Sequence, residues 1–286
     1  MISDITLGQF FPGFSVVHKL DPRAKIILAT LYIVTVFLAV NALSFLLLAL
    51  FTLALVWLSR ISLGSVLRGI KPIIFVLIFT AVLNIFLTSG EGEPLVRFWV
   101  IKIYSEGIYR AVLMALRVII LIVGTSILLT YTTSPISLTD GIESLMSPLK
   151  VIGVPVHAFA MMMSIALRFI PTLVEETEKI MNAQKSRGAD FSSGGLIKRA
   201  KALIPLLVPL FVSAFKRADE LAVAMECRCY RGDKNRTKLV KLEIHARDLV
   251  FFVVFAILLV AVILLRGAVY KLGLSGIVFD ILLFKF

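Results

Sequence analysis

The chain has 286 residues, 59% of them hydrophobic and 17% charged, with a net charge of +12 at neutral pH and a mean hydropathy of +0.98. Soluble domains run near half apolar and about a quarter charged, so this composition excludes an ordinary soluble domain and fits an integral membrane protein. Lys- and Arg-bearing cytoplasmic loops account for the positive charge, and with no aromatic-and-basic cluster of the RNA-recognition type, nucleic acid is excluded as a partner.

The first 25 residues lack the basic start, short apolar core and small-residue cleavage site of a signal peptide, so insertion is expected to begin at the first spanning helix. Asp21 as a cap and Pro22 at the first helical position announce that helix, and Ile26–Val40 is its apolar run. Asn41 allows a turn, and Leu43–Leu58 runs back. Arg60, Arg68 and Lys71 mark a basic loop before the third span, Ile73–Leu87, which ends in the turn formers of residues 89–94. Residues 95–109 alternate apolar and polar around Trp99, Tyr104 and Tyr109, as an interfacial segment would. Val112–Tyr131 is the fourth span and Leu249–Leu265 the last. Leu272–Phe284 is short and interrupted by Gly276 and Asp280, and is expected to be a packed or surface-lying tail.

Between the fourth and last spans the character changes. Residues 132–248 hold 17 of the 30 Lys and Arg and 12 of the 18 Asp and Glu. The expected architecture is therefore an all-α integral membrane protein with about five transmembrane helices and a cytoplasmic-face module of amphipathic helices. Its parts are residues 1–131 with four spans, 132–248 as the module, and 249–286 as the final span and tail. With the amino terminus inside, the short loops place most basic residues on the cytoplasmic side. Counting 151–167 and 202–215 as further spans would put six basic residues outside, and the second run carries Pro205 and Pro209. Both pieces are expected to lie on the inner face.

Two arginine-centred stretches stand out in the module: Ser186-Arg187-Gly188 and Cys227-Arg228-Cys229. Leu173, Thr177, Ile180 and Gln184, with Val174 and Met181 beside them, have helical spacing up to the first. Gly188 should end that helix, leaving Arg187 in the last turn, where a cation suits the helix dipole. Ala218, Leu221, Ala222, Met225 and Cys229 line a face leading to the second, which Gly232 can end. Neither arginine has an acid three or four residues before it, although Asp190 could pair with Arg187. A guanidinium free of its own helix can make a bidentate contact with another protein's carboxylate or carbonyls. The two cysteines are too few for a metal site without further ligands, and a packing role is expected for them.

Four phrases carry a resemblance to a known family: Leu20-Asp21-Pro22-Arg23-Ala24-Lys25; residues 167–173 with Glu175-Glu176; residues 183–188; and residues 217–222 running into 224–230. In these, and in its spans, the chain resembles the transmembrane component of energy-coupling factor transporters, also known as the cobalt-transport membrane subunit. The resemblance implies that Ser186, Arg187, Gly188, Cys227, Arg228 and Cys229 form two coupling motifs, an arginine between small residues. It implies two ATP-binding cassette subunits as partners, with ATP and magnesium bound there and no cofactor on this chain. It further implies a substrate-binding membrane component for vitamin or metal-ion uptake, and a multi-pass place in a prokaryotic inner or plasma membrane. The chain itself would be non-catalytic, and membrane lipid would surround it.

An alternative from another class is a membrane-embedded enzyme acting on lipid. It would need a nucleophile–base pair or a carboxylate cluster near the interface, and the spans hold almost no acids. A self-sufficient transporter would want polar residues or broken helices within several spans. No Walker-type phosphate loop is present. Arg117, inside the fourth span, is expected to reach for the outer surface; Asn84 is expected to join helices, and Met161, Met162 and Met163 to pack in a core.

Overall fold

The computed structural model describes residues 10–87, 96–98, 101–189, 191, 195–230, 232 and 242–271. They form nine α-helices and one short hairpin. In chain order these are α1 (Pro22–Leu38), α2 (Ala42–Ser59), α3 (Leu63–Ile70) and, through a 3-10 turn at Lys71–Ile73, α4 (Ile74–Leu87). Then come β1 (Val96–Phe98) and β2 (Ile101–Ile103), α5 (Ser105–Thr125) continuing as a π-helical turn over Ser126–Tyr131, α6 (Pro135–Leu145), α7 (Val156–Ser186), α8 (Leu196–Cys227) and α9 (Ala246–Lys271). The two strands pair antiparallel, Val96 opposite Ile103, so the alternation noted in 95–109 belongs partly to a β-ribbon. Trp99 and the tail after Lys271 lie outside the described residues.

Among the described residues, five stretches are long and apolar enough to cross a membrane: Ala42–Ser59, Leu63–Phe86, Gly107–Tyr131, Val156–Ser186 and Ala246–Gly267. Their number matches the sequence expectation, and by length and composition Val156–Ser186 is among them. At 17 residues α1 spans about 26 Å of helix axis, a little short of ~30 Å of hydrocarbon. The apolar piece at 151–167 and the helical pattern after Pro171, read separately in the sequence, are one 31-residue helix, α7, that continues through Pro171. The basic loop at 60–71 is likewise mostly helix: Ser62 caps α3 by accepting the Ser65 N–H.

The described residues divide into two compact units, one drawn from 8–141 and 242–286, the other from 142–241. The first has a core built where four helices face one another. Leu28, Tyr32 and Val36 of α1 meet Phe45, Leu48 and Leu55 of α2, Leu113 and Ile120 of α5, and Phe255, Leu258 and Val262 of α9. Tyr32 brings a hydroxyl into this apolar centre, and it is satisfied there: it lies 2.7 Å from Thr52 Oγ1 and donates to the Ile120 carbonyl at 3.1 Å. Gly124 lets α5 approach that ring, since a Cβ there would stand 2.2 Å from Tyr32 Cε1. Small residues at such crossings are how membrane helices gain packing. In the second unit α7 and α8 pack on one another, and His157 of α7 pairs with Glu143 at 3.0 Å.

Candidate functional site: two arginine-tipped helices

Helices α7 and α8 end in the same way. At the end of α7 the Gly188 N–H donates to the Lys185 carbonyl and the Ala189 N–H to the Gln184 carbonyl, both at 3.0 Å. At the end of α8 the Cys229 N–H donates to Glu226 at 2.8 Å and the Tyr230 N–H to Met225 at 3.0 Å. Each is a pair of bonds closing over the last turn, with a left-handed residue just past the cap. That residue is Gly188 (φ 86°) in one helix and Cys229 (φ 56°) in the other. Arg187 and Arg228 are therefore equivalent: both are the C-cap, with φ of −87° and −89°.

The second ending corrects the expectation that Gly232 would stop α8. The helix ends three residues earlier, because Cys229 takes the left-handed conformation despite its Cβ; Gly232 has a positive φ but lies beyond it. Ser186, Arg187, Gly188, Cys227, Arg228 and Cys229 are all exposed. Neither guanidinium pairs with an acid among the described residues; Asp190 lies outside them. The partly buried faces leading to the tips run through Leu173, Thr177, Ile180 and Gln184 on α7 and through Leu210, Ala214, Leu221 and Met225 on α8. Ala218 and Ala222, expected on the packed face of α8, are exposed instead.

One carboxylate joins the two helices. Glu176 Oε1 accepts from Ser213 Oγ, and its Oε2 accepts from Arg217 Nη2 at 3.0 Å.

The family profile described as cobalt transport protein matches residues 13–239. The chain belongs to that family. It is 53% identical over 250 residues to the energy-coupling factor transporter transmembrane protein EcfT of Clostridium kluyveri, covering 87% of this chain and 92% of that one. It is 51% identical to the EcfT of Thermosediminibacter oceani (92% and 98% covered) and 48% identical to that of Bacillus subtilis (93% and 100% covered). The family and these relatives identify a multi-pass transmembrane component of the energy-coupling factor type, which leaves the lipid-enzyme alternative without support.

The family phrase at residues 20–25 now has a structural explanation that sequence reading missed. Lys25 is 1% exposed, yet its Nζ is fully used: it donates to the carbonyls of His18 (3.2 Å) and Thr132 (2.8 Å) and to Thr133 Oγ1 (3.2 Å). Asp21 caps α1 through the Arg23 N–H, and its own N–H donates to Asp248 Oδ1 at 2.9 Å, at the start of α9. Asp248 Oδ2 also takes the His245 N–H at 2.7 Å. The phrase thus bolts together α1, the end of the α5 π-turn and α9.

Arg117 has a partner that sequence reading missed. It donates to the Ala39 carbonyl at 2.6 Å, closing the end of α1, with its guanidinium 5.3 Å from the Phe45 ring centroid. A cation at a helix C-terminus and over an aromatic face is favourable on both counts. Asn84 bonds within its own helix, to the Thr80 carbonyl at 2.9 Å, rather than across to another. Met162 and Met163, expected in a core, are more than half exposed.

Proposed function

We propose that this transmembrane component receives ATP-driven motion at Arg187 and Arg228 and passes it to a substrate-binding membrane component. The observation that carries the reading is the duplicate ending: two long helices, each finished by the same cap geometry, each presenting one exposed arginine between small residues. A guanidinium so placed has five donors for a bidentate grip on a partner's carboxylate or carbonyls. Small flanking residues let the partner's backbone come close.

Each motif docks in a groove of one ATP-binding cassette subunit, and those two subunits bind ATP and magnesium. The amino terminus lies in the cytoplasm, and α7 and α8 present their tips there, in a prokaryotic plasma membrane. This orientation agrees with the excess of Lys and Arg in 59–71 and 132–248. Vitamin or metal-ion specificity belongs to the substrate-binding component. The chain has no catalytic role of its own.

The test is co-purification of the assembled complex from membranes. Arg187→Glu and Arg228→Glu are each expected to lose most of the bound ATPase, since removing a desolvated charged contact at an interface weakens binding by about thirtyfold or more. Full retention of the ATPases by both variants would refute the reading.

A further inference from the structure

We infer that Glu176, gripped by Ser213 and Arg217, is the joint that fixes the two arginine tips relative to one another, so that displacement of either is imposed on both. The inference rests on the coupling role proposed above and names residues that the docking motifs do not include.

The first support is how the joint is made. Ser213 and Arg217 are four residues apart, hence one turn apart on the same face of α8, and they take different oxygens of a single carboxylate. Two grips one turn apart set the register and rotation of α8 against that point of α7. A lone contact would set only proximity. The side chains of Arg217 and Glu176 retain 38% and 21% exposure, and an ion pair that accessible adds little to the stability of a fold. Its value is therefore positional.

The second support is spacing. Arg187 lies eleven residues after Glu176, and Arg228 lies eleven residues after Arg217. Eleven residues make three turns to within about 20°, or ~16 Å of helix. Each arginine thus leaves its helix on nearly the same side as the joint, and both stand at the same reach from it. The third support is stiffness. Residues 177–186 and 218–227 contain no proline or glycine, whereas Pro171, Pro205 and Pro209 all lie upstream of the joint. A proline removes a backbone bond and lets a helix bend. The tip segments are stiff, and the parts that can flex lie behind the joint.

The experiment uses the whole complex with its ATPases, in a Cys227→Ala/Cys229→Gly background, with spin labels at Asn182→Cys and Ala222→Cys, both exposed positions beyond the joint. The readout is the distance between labels with and without MgATP. The intact joint is expected to give one narrow distribution that shifts as a unit. Glu176→Gln and Arg217→Met should broaden or split it while the ATPases remain bound. The charge exchange Glu176→Arg/Arg217→Glu should restore the narrow distribution, which a merely space-filling role would not do. Should the single variants fail to accumulate, Ser213→Ala removes one grip alone and is expected to broaden the distribution less. A narrow distribution in the single variants, or an exchange as broad as they are, overturns the joint and leaves the docking role standing. Retained ATPases in Arg187→Glu and Arg228→Glu overturn the docking role itself.

Discussion

Cys229 holds a backbone conformation that glycine holds at the matching point of the other helix. For a residue with a Cβ the left-handed region costs about 1 kcal/mol, and the second tip therefore carries strain that the first does not. Cys229→Gly is expected to relieve it and raise the thermal midpoint of the detergent-solubilised protein; Gly188→Ala should lower that midpoint by a similar amount. An unchanged midpoint for both would show that the caps are not held as described. The same pair of residues explains what the sequence could and could not reveal. Gly188 advertises its helix end, because glycine past a periodic run is a stop signal. Cys229 advertises nothing, and the nearest glycine misplaced the end of α8 by three residues.

At the level of elements, the helix starts were legible and their fastenings were not. Asp21 and Pro22 mark the start of α1 by local chemistry alone, and the structure places the cap there. That Lys25, four residues on, would be buried with its ammonium on Thr132 and Thr133 depends on contacts more than a hundred residues away in sequence. Nothing local encodes such a contact. Lys25→Met should strand the carbonyls of His18 and Thr132 without a donor and leave Asp21 and Asp248 without a neighbouring cation. A loss of about 3 kcal/mol is expected, seen as an earlier transition in a denaturant titration of the purified protein. Wild-type stability would mean that the bolt across α1, α5 and α9 is ornamental. Arg117 teaches the same point: its charge within an apolar run was plain, but its carbonyl partner at the end of α1 was not.

For the whole molecule, composition sufficed to declare a helical membrane protein, and hydropathy gave the right number of long apolar stretches. It did not give every boundary, because a window of apolar residues cannot tell that α7 carries on through Pro171 or that α1 closes at Leu38. The orientation proposed for the chain has a simple check, since its only two cysteines sit exposed at the second tip. A membrane-impermeant maleimide is expected to label Cys227 and Cys229 in inside-out vesicles made without the ATPases and to leave them unlabelled in intact cells. The reverse pattern would put the tip on the wrong side of the membrane. The matched spacing from joint to arginine also constrains how such a chain can change over time. Gaining or losing one amino acid between Glu176 and Arg187, or between Arg217 and Arg228, would swing that guanidinium about 100° around its axis. Length variation is therefore tolerable in the connectors beyond the two tips and ruinous within either lever.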